Sequence, residues 1–447
     1  GKKQQHHKAD SIMSYHQHHI HHHVNYINLW SVYGGSVITG FLQKPTARPS
    51  TQHGMGSLDK TMTLKIGKTN QIPAFLAMQV MQNAQHLEAA GQDITHLEVG
   101  QPSTAPPAAV SRALIAALDH TAAHGYSVAL GQPVLRQRIA AHYQDWYGLS
   151  PDWNHIAITP GSSLGFAISF LAAFDAGDHI AIATPGYPAY RNLMVALGLV
   201  PDLLPARADQ HWMPDLDALE SSGNLPDGIL LASPANPTGV VMSDDDLQTI
   251  CGWCARHGVR LIMDEIYHGL TYGRRGSSAL QFNQNAIIIN SFSKYFCMTG
   301  WRLGWVIFPD DLVDNAEKIS QNLFISASTI NQYGAVAAFD CYAELDAHLP
   351  RYEENRDSLL RGLPTEFLGQ HAPADGAFYL YADISAVSTD AVAFAQRLLN
   401  EAGVAVTPGV DFDRAEGARY LRLSYAGSHA TISTAIERIN RWLPTAG

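Results

Sequence analysis

Two stretches of the chain carry residue types that could do chemistry together. The first holds Asp264 and Tyr267, and the second, about thirty residues on, holds Ser291, Lys294 and Arg302. A lysine amine can form an imine with an aldehyde, an acid can keep a ring nitrogen protonated, and serine with arginine can hold a phosphate. Pyridoxal phosphate needs these three interactions, so the residues predict a site for that cofactor.

Strand ends are predicted to position both stretches. Residues 259–263 and 286–290 are short aliphatic runs bounded by polar or turn residues, which is typical of strands buried on both faces of a parallel sheet. Asp264 and Lys294 would then lie at or just past the carboxyl ends of strands, where open α/β sheets bind ligands. Strand and helix patterns alternate along the chain without a repeat period, which predicts an α/β fold throughout.

The lysine stretch also resembles a known family. The run SFSK at 291–294, followed by GWRLG at 300–304, is similar to the lysine signature of the class I/II aminotransferases, fold-type I enzymes in which the lysine carries pyridoxal 5′-phosphate. The resemblance covers roughly residues 65–445. It implies a large cofactor-binding domain with a mostly parallel sheet flanked by helices, residues 106–345. A smaller α/β domain would be formed by residues 61–105 and 346–447.

The same resemblance implies contacts with the cofactor ring. Asn236 opens an Asn-Pro-Thr-Gly run and would bind the phenolic oxygen together with Tyr267. The bond between Asn236 and Pro237 is predicted to be cis, which is inexpensive before proline. Tyr187 would stack on the flat ring, while Tyr190 is predicted to belong to the core.

A separate set of residues is predicted to hold the phosphate. A strand, a small-residue turn and a helix start near residue 161 would present free backbone amides and a helix dipole to an anion, although many helix starts look alike. The side chains that would add to them are Ser162, Ser163, Ser291 and Arg302. Tyr126, followed by a Gly-x-x-x-Leu-Arg run at 131–136, would reach the phosphate of the neighbouring subunit, which implies a homodimer.

Substrate contacts are predicted at three positions, of which Asn236 is one. Arg422, in the strand-like run 420–425, resembles the arginine that binds the substrate's α-carboxylate, and a guanidinium suits that task because it binds carboxylates bidentately. Gly100 resembles the glycine of a turn over the substrate, although any Gly-x-Pro turn would look the same. No motif identifies the second arginine that a dicarboxylate substrate needs, so aspartate, aromatic and alanine-type donors all remain open.

The resemblance implies an aminotransferase that moves the amino group of an L-amino acid to a 2-oxo acid. The reaction would be a ping-pong cycle between the pyridoxal and pyridoxamine forms of the cofactor. Its predicted catalytic residues are Lys294, Asp264 and Tyr267, with the lysine amine as general base. A carbon–sulfur lyase of the same fold is the alternative, because such enzymes share the lysine, the aspartate and the arginine.

Composition argues against several other classes of protein. The 447-residue chain has 46% hydrophobic and 15% charged residues, as globular proteins do, and its net charge of −11 argues against a nucleic-acid partner. No apolar run reaches eighteen residues, so no membrane span is predicted. Four scattered cysteines predict a reducing, cytoplasmic setting. Cys251 and Cys254 have redox or zinc spacing, but they lack a second pair and lie in a helix-like run, so no metal site is predicted.

Residues 1–60 differ from the rest of the chain. Eight histidines fall within the first twenty-three positions, which predicts a disordered tag or leader that takes no part in the fold. The segment is too short and too broken for the DNA-binding module of transcription regulators that share this fold. An unrelated α/β nucleotide binder would leave the ordered motifs from Tyr126 to Arg422 to coincidence.

Overall fold

Strands and α-helices alternate over residues 156–264 of the described chain, and five α-helices follow in succession between residues 310 and 368. The computed structural model describes residues 64–67, 69 and 72–445, and the chain divides into two compact units after residue 65. Every element named below belongs to the second unit. The segment 1–60, predicted to be a tag or leader, lies outside the described residues.

The β-strands of the described residues are, in chain order, β1 (Thr95–His96), β2 (Ile156–Thr159), β3 (His179–Thr184), β4 (Val200–Pro205), β5 (Gly228–Ala232), β6 (Arg260–Asp264), β7 (Ile287–Ser291), β8 (Gly304–Ile307), β9 (Tyr379–Asp383), β10 (Val404–Ala405), β11 (Thr407–Pro408) and β12 (Tyr420–Ser424). The α-helices are α1 (Leu76–Ala89), α2 (Ala108–Ala117), α3 (Pro133–Tyr147), α4 (Ser162–Ala173), α5 (Pro188–Leu197), α6 (Leu216–Ser221), α7 (Asp244–His257), α8 (Asp310–Leu323), α9 (Thr329–Ala338), α10 (Tyr342–Asp346), α11 (Leu349–Gly362), α12 (Thr365–Leu368), α13 (Ala391–Ala402) and α14 (His429–Trp442).

The largest sheet of the described chain has seven strands in the order β2-β8-β7-β6-β5-β3-β4. The pairs from β7 to β4 are parallel, and β8 is antiparallel to both of its neighbours. Successive side chains of β6 face opposite hydrophobic cores: Leu261 and Met263 pack in the core that contains α7, and Ile262 packs in the core that contains α4. Helices therefore flank a mostly parallel sheet, which confirms the predicted α/β fold.

The predicted strand ends are found at one edge of this sheet. β6 and β7 begin one residue later than the aliphatic runs predicted, so Asp264 is the last residue of β6 and Lys294 lies three residues past β7. The two strands are adjacent and parallel. Their carboxyl ends consequently bring both side chains to the same edge, where α/β sheets bind ligands.

Smaller sheets are built from the two ends of the described chain. β11, β12 and β9 form an antiparallel sheet in that order, and β1 pairs with β10 in parallel. On β12, Arg422 lies opposite Tyr381 and Ser424 lies opposite Tyr379. The division into a large and a small domain at residues 105 and 345 stays a prediction.

Several local predictions can be compared with the structure. The bond between Asn236 and Pro237 is cis, as predicted. Cys251 and Cys254 are buried within α7, and burial raises the pKa of both thiols to about 12. The sequence does not predict β4, which contains two prolines and lies at the edge of the sheet, where proline is tolerated. None of the described helices is long and apolar enough to cross a bilayer.

Candidate active site

Asp264 lies buried at the end of β6 with two hydrogen-bond donors on its carboxylate. The donors are the backbone N–H of Ile266, at 3.0 Å, and the hydroxyl of Tyr190. Burial raises the pKa of Asp264 to about 6, and both hydrogen bonds and the charge of Lys294 oppose that rise. The carboxyl group is thus mostly ionised at pH 7 and could hold a protonated ring nitrogen.

Lys294 brings its amine to the same edge of the sheet. The amine donates a hydrogen bond to the carbonyl of Gly100 at 2.7 Å and lies 5.6 Å from the centre of the Tyr267 ring. Burial and the charge of Arg422 lower the pKa of Lys294 to about 8, with Asp264 acting in the opposite direction. A large fraction of the amine is neutral near pH 8, which suits a nucleophile and a general base.

Arg422 on β12 is buried beside Asn236. Its Nη1 donates to the amide oxygen of Asn236 at 2.9 Å, and its Nη2 donates to the carbonyl of Glu98 at 2.6 Å and to the hydroxyl of Thr407 at 3.3 Å. The third nitrogen, Nε, is buried and has no hydrogen-bond partner among the described residues. Three hydrogen bonds therefore hold the guanidinium in place, and the N–H of Nε remains as a donor that could bind a carboxylate ligand.

The turn at residues 98–100 binds both Arg422 and Lys294. The carbonyl of Glu98 accepts a hydrogen bond from the arginine, and the carbonyl of Gly100 accepts one from the lysine. Only glycine fits at position 100. A Cβ atom on Gly100 would lie 1.7 Å from the hydroxyl oxygen of Tyr379. That hydroxyl is in turn 2.7 Å from the hydroxyl of Tyr267. The predicted substrate turn, the lysine and the arginine therefore form one connected cluster.

An anion-binding niche lies at the start of α4. Gly161, with φ of +77°, precedes the helix, and no side chain of the described chain caps its first amides. The guanidinium of Arg302 packs so closely that a Cβ on Gly161 would lie 2.4 Å from its Nη2. Ser162 and Ser163 occupy the first two helical positions. Free amides, a helix dipole and a guanidinium together fit a phosphate.

Ser291 is buried at the end of β7, and its hydroxyl is already hydrogen-bonded within the turn that follows. It donates to the carbonyl of Leu303 at 3.3 Å and accepts the N–H of Ser293 at 3.1 Å. These hydrogen bonds stabilise the segment that contains Lys294 and Arg302. A contact of Ser291 with phosphate stays a prediction.

Tyr187 and Tyr126 differ in their surroundings. Tyr187 precedes α5, and the centre of its ring lies 5.3 Å from that of Tyr190 and 5.5 Å from that of Phe75; burial raises its pKa to about 12. It therefore belongs to the cluster around Asp264. Tyr126 is 81% exposed, and within residues 72–445 its hydroxyl has no hydrogen bond to the other site residues.

Two residues of this cluster, Tyr190 and Tyr379, were not predicted as site residues. Tyr190 is buried, as expected of a core residue, but it also holds Asp264 from 74 positions away. Tyr379 reaches Tyr267 across 112 positions. The one local signal for Tyr190 is its place three residues after Tyr187, in the first turn of the helix α5 that Tyr187 precedes. Tyr379 has no comparable signal.

The chain belongs to the aminotransferase class I and II family, whose sequence model matches residues 92–439. It is 43% identical over 388 residues to the valine–pyruvate aminotransferase of Mycobacterium tuberculosis, covering 86% of this chain and 100% of the relative. The (5-formylfuran-3-yl)methyl phosphate transaminase of Methanocaldococcus jannaschii is 34% identical over 375 residues, covering 83% and 97% of the two chains. The crystal structure of an aminotransferase from Mycobacterium tuberculosis matches with a TM-score of 0.83 at 43% identity, covering 86% of this chain and 100% of that one.

The protein is accordingly an enzyme that transfers an amino group between amino acids and 2-oxo acids. Members of this family depend on pyridoxal phosphate. The fold also matches that of a solved aminotransferase, which agrees with the fold that the sequence resemblance implies. These comparisons favour transamination over the lyase alternative.

The lowered pKa of Lys294 predicts that this lysine reduces the stability of the cofactor-free protein by an amount that depends on pH. The unfolded chain binds more protons between pH 8 and pH 10.5, so the wild-type free energy of unfolding should rise across that interval. A Lys294→Met variant lacks this penalty and should be more stable below pH 8 by about 2 kcal/mol, allowing for the partial exposure of the amine. The difference should close towards pH 10.5.

Urea denaturation at a series of pH values measures this difference. Lys318→Met, at an exposed position on α8, is the matched control and should follow the wild type at every pH. A difference between Lys294→Met and the wild type that does not change with pH would contradict the prediction.

Proposed function

We propose that the enzyme binds pyridoxal 5′-phosphate covalently through Lys294 and uses it to move an amino group from an L-amino acid to a 2-oxo acid. One observation carries the proposal: the buried carboxylate of Asp264 and the amine of Lys294, hydrogen-bonded to the carbonyl of Gly100, share one edge of the sheet, where burial shifts the pKa of both. An acid and a base with these properties suit the two reactive ends of the cofactor.

The residues present fit this cofactor at two points and its amino-acid substrate at a third. The uncapped start of α4 beside Arg302 suits the phosphate, and the buried Asp264 suits the ring nitrogen. The unpartnered Nε of Arg422 leaves a donor for the substrate's carboxylate. When bound, pyridoxal phosphate supplies an electron sink that stabilises negative charge at the substrate's Cα.

The roles of the ring-binding residues follow from their hydrogen bonds. Asp264 keeps the ring nitrogen protonated. The amide oxygen of Asn236 already accepts from Arg422, which leaves its NH2 group to donate to the phenolic oxygen together with Tyr267. Lys294 would act as the base that moves the proton at the substrate's Cα.

The remaining residues bind and orient. Arg422 would bind the α-carboxylate, and Tyr187 would stack on the cofactor ring. The proposed phosphate ligands are Ser162, Ser163, Ser291, Arg302 and Tyr126 of the partner subunit.

A neutral side chain is proposed for the amino-acid substrate. A cavity of about 470 Å³ opens beside Gln101 and Cys297, close in the chain to the substrate turn and the lysine. Its described lining, which includes Thr104, Leu114 and Trp301, contains no Asp, Glu, Lys or Arg. A second carboxylate placed there would find no cationic side chain in the described lining to pair with. The relative that is 43% identical is named for valine and pyruvate, which supports an aliphatic donor and a small oxo acid.

A cytoplasmic homodimer is proposed as the working form. Tyr126 is 81% exposed, and the nearby Val128 and Val134 are 57% and 50% exposed, so a partner would cover apolar surface here. The cysteines of the described chain are free, which suits a reducing compartment.

Replacing Lys294 by alanine should separate cofactor binding from covalent attachment. Lys294→Ala should keep phosphate-anchored cofactor, lose the mass increment that borohydride reduction fixes on the lysine, and lose turnover by about a thousandfold or more. Intact-mass and peptide-mass measurements check this, with Lys318→Ala as control. An unchanged adduct or full activity in Lys294→Ala would show the assignment to be wrong.

The uncharged cavity predicts the choice of donor. With pyruvate as acceptor, kcat/KM for L-valine or L-alanine should exceed that for L-aspartate by about 100-fold, because an unpaired carboxylate is costly to bury. Initial rates over a panel of L-amino acids measure the ratio. A preference for aspartate would refute the proposed substrate class.

Subunit hybrids test the placement of Tyr126. Tyr126→Ala homodimers should bind cofactor about tenfold more weakly, and Lys294→Ala homodimers should be inactive. In a hybrid of the two, the only site with a lysine receives its tyrosine from the other subunit, so about half of the wild-type activity and tight cofactor binding should return. If Tyr126 instead served its own subunit's site, the hybrid would keep the weak binding.

A further inference from the structure

Tyr379 touches three groups of the candidate site. Its hydroxyl oxygen lies 2.7 Å from that of Tyr267 and fills the space that a side chain at Gly100 would need. Its ring centre lies 4.5 Å from the guanidinium carbon of Arg422. The side chain is 1% exposed at the start of β9, opposite Ser424 on β12. A buried residue in this position connects the groups assigned to the cofactor with the group assigned to the substrate.

The direction of the hydrogen bond between the two tyrosines decides what Tyr267 can do. Burial raises the pKa of both, so each hydroxyl keeps its proton. If Tyr267 donates to Tyr379, its one hydroxyl proton is engaged in that hydrogen bond and cannot be donated to another acceptor. If Tyr379 donates, the proton of Tyr267 is free for another acceptor, and the received bond makes Tyr267 a stronger donor because linked hydrogen bonds polarise one another.

The ring of Tyr379 acts on a different neighbour. The guanidinium of Arg422 contacts two aromatic rings, with its central carbon 4.5 Å from the centre of the Tyr379 ring and 4.7 Å from that of Phe412. Cation–π attraction and packing against both rings favour one orientation of the planar group. Removing one ring would let the arginine tilt, even with its hydrogen bonds to Glu98, Asn236 and Thr407 intact.

We propose that Tyr379 is a positioning residue with two separable actions. Its hydroxyl donates to Tyr267 and directs the Tyr267 proton to the phenolic oxygen of the cofactor, and its ring keeps Arg422 oriented for the substrate carboxylate. The inference rests on the proposed function, because it requires the cofactor on Lys294. The hydroxyl of Tyr379 would thus affect the protonation of the lysine-bound cofactor, and its ring would affect the binding of the amino-acid substrate.

Removal of the hydroxyl alone should change the titration of the bound cofactor. A hydrogen bond to the negative phenolic oxygen weakens that oxygen's hold on the proton of the lysine nitrogen. Tyr379→Phe in the cofactor-loaded enzyme should therefore raise the pH at which the absorbance of the lysine-bound cofactor changes, by about half a unit, with KM for the amino acid unchanged. Tyr267→Phe should raise it further.

The matched control is Tyr381→Phe. Tyr381 lies two residues along the same strand, is equally buried, and has a hydroxyl without a hydrogen-bond partner in the described chain. Its replacement should leave the midpoint at the wild-type pH. A Tyr267→Phe/Tyr379→Phe double variant should titrate like Tyr267→Phe alone, because the effect of Tyr379 passes through Tyr267.

The ring is tested by Tyr379→Leu, which should raise KM for the amino acid about tenfold or more beyond the value for Tyr379→Phe. A Tyr379→Phe midpoint equal to the wild type, or a shift that persists undiminished without the Tyr267 hydroxyl, would overturn the inference while the proposed function stood. A wild-type protein that shows no lysine-bound cofactor band, even with added pyridoxal phosphate, would overturn both.

Discussion

Two backbone carbonyls, two residues apart, hold the cations on which the candidate chemistry depends. The carbonyl of Glu98 accepts from Arg422 and the carbonyl of Gly100 accepts from Lys294. The lysine follows a strand of the central sheet, the arginine lies on the antiparallel sheet, and the turn follows the short strand β1. Three separate parts of the chain thus meet at one turn. Displacement of that turn would move the proposed base and the proposed carboxylate ligand together.

A partly exposed histidine between two carboxylates anchors the turn. The carboxylate of Glu98 is fully buried and bonded to Nδ1 of His96 at 2.8 Å, while Nε2 of His96 lies 3.0 Å from a carboxylate oxygen of Glu88 on α1. The hydrogen bond with Glu98 is the main reason that the pKa of His96 is raised to about 9, with Glu88 adding to it. The imidazolium that results joins helix α1 to the turn, so the first described helix contributes to the geometry of the site.

Positive charge exceeds negative charge at the candidate site. Three cationic groups, Lys294, Arg302 and Arg422, lie near the carboxylates of Asp264 and Asp411, and the charges of both arginines contribute to the lowered pKa of the lysine. A phosphate at the α4 niche and a carboxylate beside Arg422 would compensate this excess, which is the electrostatic reason that anionic ligands suit the site. The same excess favours a neutral lysine amine at the moment when it has to act as nucleophile or base.

The amino-acid sequence by itself determined which residue types are available and where the strands that carry them end. Residues 259–263 and 286–290 predict β6 and β7 to within one residue because burial and strand periodicity are local properties. Only the tertiary structure decided which side chains meet: Tyr190 with Asp264, Tyr379 with Tyr267, and Asn236 with Arg422. These pairs are separated by 74, 112 and 186 positions, and their contacts depend on how sheets and helices pack, which no local pattern encodes.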